Sequence, residues 1–367
     1  MRILHVYKDY APILGGIENH IRALAEAQVR NGHDVTVLVT NPRGRETVEE
    51  KLNGVRVIKA GRWATVASTP LSPSFSDWLK KLQPEITHLQ APYPLGELAQ
   101  WFNGRGRPYL ISYQADVNRP VQKLIMLAYG PLFRRILRGA ARVLITNPPF
   151  AANSPHLRPV KDKLALVPIG VDVSRFSPRP APATTPPTLL FVGQLRHYKG
   201  VDDLLRALKH LDTNVQLLIA GDGPQRAHWK VLTHELGLRE RVNFLGNVPD
   251  AELPALYQRA SVFVLPSTSR AESYGTVLVE AMASGLPCVT TEIGSGNSFV
   301  VQNEQTGLVV PPHAPPALAA TLQRLLKDAN LCEKLGQAGR ARAVAEFSVE
   351  TMVRRVEKIY GEVLSGA

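Results

Sequence analysis

The same local pattern opens both halves of the chain: a short apolar strand, a glycine-containing loop, a helix and a second strand. In the first half, residues 2–7 (RILHVY) begin the pattern and the strand 35–39 (VTVLV) completes it. In the second half, residues 188–193 (TLLFVG) lead through the loop 194–200 into the next helix. Strands that alternate with helices form parallel sheets with right-handed crossovers. The sequence therefore predicts two doubly wound, Rossmann-like α/β units.

The boundary between the units is marked by composition. Residues 177–187 (SPRPAPATTPP) are rich in proline and poor in apolar side chains, as is typical of a linker. Further strands are predicted in the second half at 215–220, 242–245, 261–265 and 287–291, with helices from about 317 to 364. We predict a first domain over 1–172, a linker over 173–187, a second domain over 188–347 and a C-terminal helix over about 348–367 that packs back on the first. Ligands bind such sheets at the carboxyl ends of the strands, so both domains are expected to face a central cleft.

A surplus of positive charge restricts the partners. The chain has 43 Lys and Arg against 31 Asp and Glu, a formal net charge of +12. This surplus suits nucleic acid, an anionic membrane or a phosphorylated small molecule. No helix-turn-helix, RRM or zinc-finger pattern is present, so we expect no nucleic-acid partner. The two cysteines, Cys288 and Cys332, lack the spacing of a zinc site.

Two loops combine the features of a phosphate site. Gly15-Gly16 lies between the first strand and the first helix, where the backbone can approach a ligand and the helix offers free N–H groups. The loop is neither G-x-G-x-x-G nor a P-loop, and the alternative is a tight turn without a ligand. Arg196 and Lys199 occupy the equivalent loop of the second half, where a guanidinium and an ammonium suit a departing diphosphate; the alternative there is a solvated basic turn.

The segment 270–285 carries the most specific pattern. Glu272 ends a loop, Gly275 begins a helix and Glu280 lies further along that helix. The free N–H groups at 275–277 are suited to an anion, and the two carboxylates can accept hydrogen bonds from hydroxyl groups on either side of it. Sugar hydroxyls, a diphosphate and a ribose present that order of groups, so the segment predicts a nucleotide-sugar site.

The chain resembles the retaining GT-B glycosyltransferases of family 4, in particular the bacterial mannosyl- and rhamnosyltransferases of surface polysaccharides. The segments that carry the resemblance are Gly15-Gly16-Ile17-Glu18, 68–74, 91–95, 153–155, 162–172, Arg196 with Lys199-Gly200, the Glu272-x7-Glu280 segment with Tyr274-Gly275 inside it, and 306–312. Together they extend over almost the whole chain.

The resemblance implies roles for individual residues. The second domain would bind a GDP-, UDP- or dTDP-linked sugar, and the first would receive the acceptor. Catalytic roles fall on Arg196, Lys199, Glu272 and Gln114, donor binding on Gly15, Gly16, Ser273, Tyr274, Gly275, Thr276, Val277 and Glu280, and acceptor binding on Asp116 and Tyr93. The chain has no Asp-x-Asp motif, so cationic side chains and helix ends are expected to replace a required metal or other cofactor.

Two positions depart from the family's pattern. Gln114 stands where relatives carry the histidine of His-x-Asp, here Gln114-Ala115-Asp116, and Gln90 also replaces a histidine. A glutamine can bond a hydroxyl but does not titrate near neutral pH. We interpret the change as altered sugar specificity rather than lost activity.

Residues 121–142 combine apolar bulk with Arg134, Arg138 and Arg142 at intervals of four. This pattern is typical of an interfacial helix on anionic lipid, and equally of a domain helix with a solvated basic face. No apolar run approaches the ~20 residues that a membrane span needs. We expect a cytoplasmic protein, with peripheral attachment to the inner face of the plasma membrane if the interfacial interpretation holds.

The leading functional hypothesis is transfer of a hexose or deoxyhexose, with retention of configuration, to a saccharide or lipid-linked saccharide of the bacterial surface. A small natural-product acceptor, a nucleotide-sugar epimerase and a non-catalytic nucleotide-sugar-binding protein are the alternatives. The Glu272-x7-Glu280 segment argues against the epimerase, and Gln114 is the best support for the non-catalytic reading.

Overall fold

The computed structural model describes residues 1–13, 15–66, 68–104, 106–114, 120–178 and 186–366, with side chains in the helix that starts at Pro120 described from Tyr129 onward. The chain divides into two compact units. The first consists of 1–170 with 349–367, and the second of 171–348.

The strands and helices alternate along both units. The strands are β1 (Arg2–Val6), β2 (Asp34–Asn41), β3 (Val48–Leu52), β4 (Val55–Gly61), β5 (Ala64–Val66), β6 (Thr69–Leu71), β7 (Ile86–Ala91), β8 (Tyr109–Tyr113), β9 (Arg142–Ile145), β10 (Leu164–Leu166), β11 (Thr188–Val192), β12 (Gln216–Ala220), β13 (Val242–Gly246), β14 (Val262–Leu265), β15 (Cys288–Thr291) and β16 (Leu308–Val310). The helices are α1 (Gly16–Arg30), α2 (Ser74–Lys81), α3 (Pro94–Asn103), α4 (Pro120–Gly139), α5 (Pro148–Asn153), α6 (Val201–Leu208), α7 (Arg226–Glu235), α8 (Leu253–Arg259), α9 (Thr276–Ala283), α10 (Gly296–Val300), α11 (Pro315–Lys327), α12 (Ala329–Phe347) and α13 (Val349–Ser365). Short 3-10 helices lie at Arg158–Lys163, Val173–Arg175 and His197–Lys199.

The first unit is built on a sheet that, within the described residues, has eight strands in the order β10-β9-β8-β7-β1-β2-β4-β3. Its neighbours pair in parallel except β3, which runs antiparallel to β4. Val37, Leu38 and Val39 are each 0% exposed, so both faces of β2 are covered. The strand order reverses between β1 and β7. Loops that leave these two strands at their carboxyl ends are therefore the expected place for a ligand.

The second unit repeats the design. Its described strands form a parallel sheet in the order β13-β12-β11-β14-β15-β16, and the order reverses between β11 and β14. The strands predicted at 215–220, 242–245, 261–265 and 287–291 agree with the observed strands within two residues. Apolar runs bounded by turns were sufficient to find them; β12, β14 and β15 are buried along most of their length, and the edge strand β13 is only partly covered.

The C-terminal helix α13 belongs to the first unit. It packs against α1, where Asn31 Nδ2 donates to Glu357 Oε1 at 3.0 Å. A second bond joins Tyr360 Oη to Nδ1 of the fully buried His88, at 2.6 Å. Of the predicted linker, residues 179–185 lie outside the described part of the chain, and its start forms the 3-10 helix Val173–Arg175.

The helix predicted to line a membrane ends earlier than the sequence suggests. It stops at Gly139, and Arg142 instead begins strand β9, so Arg142 does not continue the basic face of α4. In the described half of α4, Phe133, Ile136 and Leu137 are at most 2% exposed. These apolar side chains fill the core of the unit and are not free to enter lipid, whereas Arg134, Arg135 and Arg138 are exposed. Among the described residues, no helix combines the length and apolar character needed to cross a membrane.

Candidate active site

The loops that follow β11 and β14 are fastened to each other in the second unit. Gly200 adopts φ +66°, and a Cβ there would lie 2.0 Å from the backbone oxygen of Pro266. The N–H of Thr268 donates to the carbonyl of Tyr198 at 2.8 Å. Only a glycine allows this approach of two backbones. The loop with Arg196 and Lys199 is thereby held beside the loop that leads to Glu272.

Lys199 and Glu272 form a buried ion pair at this switch point. Lys199 is 8% exposed and Glu272 is 9% exposed, and Lys199 Nζ bonds directly to Glu272 Oε2. Ser267 Oγ donates to the same oxygen at 3.3 Å, and Ser295 Oγ donates to the backbone oxygen of Glu272 at 2.6 Å. An ammonium has three N–H donors and a carboxylate has two oxygens. The pair therefore fixes both side chains while leaving donors on Lys199 and Oε1 of Glu272 for a ligand.

Arg196 lies on the same loop but is exposed. Its Nε donates to Gln194 Oε1 at 2.9 Å, and it forms no ion pair with any described residue. The guanidinium therefore keeps donors for an anion. The sequence analysis expected Arg196 and Lys199 to act alike on a diphosphate. In the structure, Arg196 is exposed, whereas Lys199 is buried and paired with Glu272.

The N-terminus of α9 supplies a backbone site for an anion. Gly275 precedes the helix with φ +76°, and no side chain caps the helix. The N–H groups of Thr276 and Val277 donate to no group in the described part of the chain. The ring of Tyr274 is 2% exposed and packs edge-on against Phe347, with centroids 6.3 Å apart. The ring of Tyr274 is therefore not available to a ligand, and a ligand at this helix end could contact only its backbone.

Glu280 lies in the second turn of α9 and is half-buried. The hydroxyl of Tyr257 donates to Glu280 Oε2 at 2.7 Å. Burial raises the pKa of Glu280 to about 7, against the smaller opposing effect of the Tyr257 hydrogen bond. Tyr257 was missed by the sequence analysis. Nothing in the spacing of positions 257 and 280 shows that the two side chains meet.

In the first unit, the loop before α1 is partly occupied by the chain itself. Gly15 has an extended backbone, with φ −171°, but a Cβ there would lie 2.2 Å from Glu18 Oε2. Glu18 is 9% exposed, and burial raises its pKa. Around Gly16, by contrast, a Cβ would meet nothing within 4 Å. The carboxylate of Glu18 thus covers Gly15, and Gly16 keeps open space beside it.

Gln114 and Gln90 bond to each other. Gln114 follows β8 directly, Gln90 lies on the neighbouring β7, and Gln114 Nε2 donates to Gln90 Oε1 at 2.8 Å. Gln114 is 4% exposed and Gln90 is 1% exposed, and Gln90 Nε2 has no partner among the described residues. The two departures from the family's pattern therefore form one pair. Asp116 lies outside the described residues.

Tyr93, predicted on the acceptor side, is 2% exposed, and its ring packs edge-on against Phe75 and Tyr7. Its N–H donates to Glu97 Oε1 at 2.7 Å. The hydroxyl of Tyr129, on α4, donates to the other oxygen of Glu97, and burial raises the pKa of this carboxyl to about 7. Glu97 was also missed by the sequence analysis.

No cluster of three or more His, Cys, Asp or Glu side chains suited to a metal ion occurs in the described part of the chain. In the second unit, Arg196 is the cation of the loop after β11 without an ion pair among the described residues, and the N-terminus of α9 adds partial positive charge.

Two doubly wound parallel sheets in one chain are the architecture of the GT-B fold. Residues 14–175 match the family model described as Glycosyltransferase Family 4, and residues 172–342 match Glycosyl transferases group 1. The chain belongs to this family of glycosyltransferases, which confirms the resemblance and the fold class predicted from the sequence.

The similarity to relatives and to solved structures extends over nearly the whole chain. The D-rhamnosyltransferase WbpZ of Pseudomonas aeruginosa is 33% identical over 93% of this chain and 91% of that protein. The O-antigen chain mannosyltransferase C of Escherichia coli is 30% identical over 99% of each. The structure of sucrose-phosphate synthase from Thermosynechococcus elongatus superposes with a TM-score of 0.80 at 25% identity, over 100% of this chain and 99% of that one.

Proposed function

We propose that this glycosyltransferase moves a hexose or deoxyhexose from a nucleotide diphospho-sugar to a saccharide acceptor of a bacterial surface polysaccharide, with retention of configuration. The observation that carries the proposal is the buried Lys199–Glu272 pair beside the uncapped N-terminus of α9. The names of the relatives, D-rhamnosyltransferase and O-antigen chain mannosyltransferase, support the sugar class and the kind of product.

The second unit supplies the donor contacts in this proposal. Arg196, the remaining donors of Lys199 and the amides of Thr276 and Val277 neutralise the diphosphate as charge develops on it. Glu272 Oε1 accepts from a hydroxyl of the sugar. Glu280 accepts from the ribose, in competition with the hydroxyl of Tyr257.

The chemical step needs no protein nucleophile. The bond from the anomeric carbon to the phosphate oxygen breaks, and the bond from that carbon to the acceptor oxygen forms on the same face. The proton of the acceptor hydroxyl passes to the departing phosphate oxygen, and the nucleoside diphosphate leaves. Gln114, in the first unit, contributes a fixed amide that hydrogen-bonds a hydroxyl without exchanging a proton.

A thermal-shift panel of GDP-, UDP- and dTDP-sugars tests donor recognition. A ligand that binds only the folded state stabilises it by ~2–3 kcal/mol at a hundredfold excess over its dissociation constant. We expect one nucleotide series to stabilise the protein and a Lys199→Ala variant to lose the effect. Equal melting temperatures with every donor would contradict the proposal.

We also propose that the acceptor is presented at an anionic membrane surface on the cytoplasmic side. The first unit carries 26 Lys and Arg against 15 Asp and Glu, whereas the second carries 17 against 16. Within the first unit, residues 101–170 carry 11 basic and 2 acidic side chains. Because the apolar side chains of α4 described above are buried, the attraction is electrostatic rather than insertional.

Sedimentation with vesicles tests this partner. We expect binding to phosphatidylglycerol vesicles at low salt, its loss at high salt and none to phosphatidylcholine vesicles. A triple Ala variant at Arg134, Arg135 and Arg138 should bind less, and a triple variant at Arg206, Arg239 and Arg259 of the second unit should not. Failure of the wild-type protein to sediment at low salt would overturn the membrane partner and leave the transfer reaction untouched.

A further inference from the structure

A cavity of about 770 Å³ lies in the first unit. Its walls come from the loop after β1, from α1, from the loop after β2 and from β3 and β4. The size is within the range of about 300–1,000 Å³ that is usual for small-molecule sites. The loop after β1 continues directly to Gly15-Gly16, so the cavity borders the ligand-binding edge of the first sheet.

Some side chains of the cavity wall are hydrogen-bonded or ion-paired to other parts of the first unit. Lys59 Nζ donates to the carbonyl of Ala11 at 3.0 Å and pairs with Glu50 at 2.5 Å. Asn53 Nδ2 donates to Glu26 Oε1 at 2.8 Å. These bonds hold β3, β4 and α1 around the space and leave Glu26 with a second oxygen to accept from a ligand.

Other polar groups in the wall have no partner in the protein. Arg22 and Arg43 form no ion pair, and no side-chain hydrogen bond, with any described residue. Tyr10 is 2% exposed, and its hydroxyl is buried without a hydrogen-bond partner in the described part of the chain. Tyr10 itself forms part of the cavity wall, together with Glu26 and Arg22. A buried hydroxyl without a partner is unusual in a folded protein.

The remaining wall is apolar: it is formed by Pro12, Ile13, Pro42, Val48 and Leu52. A hexose presents both kinds of surface, since its C–H groups pack on apolar side chains while its hydroxyl groups need donors and acceptors. Two guanidinium groups, one carboxylate oxygen and one hydroxyl meet that need. Glu26 adds a carboxylate oxygen to the same wall, an acceptor that a hydroxyl group can use and a fully ionised phosphate cannot.

We propose that this cavity, the Tyr10 cavity, binds a sugar unit of the acceptor chain remote from the hydroxyl that is glycosylated. The inference rests on the proposed function, because it assumes an oligosaccharide acceptor. It makes Arg22, Arg43 and Tyr10 determinants of acceptor length. Such a subsite raises the affinity for a longer acceptor without altering the chemistry at the donor.

The test uses mannose and rhamnose oligosaccharides of one to four units, measured by transfer kinetics and, without donor, by saturation-transfer NMR. We expect the wild-type KM to fall as the acceptor lengthens. Arg22→Ala, Arg43→Ala and Tyr10→Phe should each raise the KM of the trisaccharide and tetrasaccharide about tenfold, the scale of one lost charge-assisted or buried hydrogen bond. The kcat, the donor KM and the kinetics with a monosaccharide should be unchanged.

Two controls separate binding from folding. Arg30→Ala changes an exposed arginine on the same helix, outside the cavity, and should behave as wild type. Tyr10→Phe removes an unpartnered buried hydroxyl, so it should keep or raise the melting temperature while weakening oligosaccharide binding. Absence of oligosaccharide binding to the wild type, or equal KM values in the variants and the wild type at every length, would overturn the subsite. Absence of transfer with every donor would instead overturn the proposed function, and NMR binding would still report on the subsite.

Discussion

Gln114 Nε2 donates to Gln90 Oε1 at 2.8 Å, across the neighbouring strands β7 and β8. Since the nitrogen of Gln114 is used in this bond, its oxygen remains to accept from a hydroxyl group. The pair fixes the direction of the Gln114 amide in a way that an isolated glutamine could not. We propose that this fixed pair changes the sugar specificity of the site.

Gln90→Leu tests that interpretation. We expect kcat/KM to fall about tenfold, because the freed Gln114 amide loses one buried hydrogen bond and its orientation. Gln100→Leu is the matched control, since Gln100 is 3% exposed in the same unit and lies on α3. The double variant Gln90→His/Gln114→His should acquire a titration in its rate profile below the ordinary histidine pKa of about 6.5, because both positions are buried, and the wild type lacks a titrating group there. A hundredfold rise in turnover for Gln114→His with the native donor would contradict the specificity interpretation and indicate an impaired enzyme.

Variants of the Lys199–Glu272 pair should show different effects on stability and on transfer activity. Glu272→Ala leaves the buried ammonium without its partner and should cost about 3–5 kcal/mol of unfolding free energy. The double variant Lys199→Met/Glu272→Leu should recover most of that loss in urea unfolding, yet remain at least a hundredfold less active than the wild type. Recovery of activity together with stability would show that the pair is only structural.

Because the pKa of Glu280 is raised, we expect donor binding to depend on pH. The pKa of this carboxyl is raised to about 7, mainly by burial. Above that pH the carboxylate is the stronger hydrogen-bond acceptor for a ribose hydroxyl, so donor affinity should fall several-fold as the pH drops from 8 to 6. Glu280→Gln should remove the dependence. A calorimetric dissociation constant that changes equally with pH in both proteins would show that another group is responsible.

Acid should destabilise the first unit through buried histidines. Burial lowers the pKa of His5 and of His20 to about 4 and holds that of His88 well below its ordinary value, with His5 adding to the effect on His20 and His88. Because the unfolded chain binds protons more readily, their contribution to stability is present above the ordinary pKa of about 6.5 and is lost as the pH falls toward 4.

His20→Leu should therefore raise the unfolding free energy more at pH 5 than at pH 8, since neither ring nitrogen of His20 has a partner among the described residues. His228→Leu changes an exposed histidine and should have no such effect. Equal shifts of the urea midpoint at both pH values would show that His20 does not titrate as proposed.

Local patterns were sufficient for the parts of the fold that depend on neighbours in sequence. Apolar runs and glycines predicted β1, β2, the strands β11 to β15 and the loops at Gly15 and Gly275, because each acts within a few residues, whereas β3 to β10 and β16 were not predicted. Contacts between residues distant in the sequence could not be predicted. No spacing shows that Tyr257 meets Glu280, or that Gln90 meets Gln114.

The basic helix shows how tertiary packing decides between two equal sequence patterns. Phe133 and Ile136 read equally well as a lipid-facing or a core-facing stripe, and the structure buries them. Likewise, the Gly15 loop reads as an open phosphate site, while the carboxylate of Glu18 lies over part of it. These outcomes depend on what surrounds each element.

The central claim is that this chain transfers a sugar with retention of configuration through the site around Lys199 and Glu272. The most direct measurement is the anomeric configuration of the product by proton NMR, after reaction of the wild type with the donor that the thermal-shift panel selects. We predict the configuration of the donor in the product, and no product from Lys199→Ala. A product of inverted configuration would contradict the account.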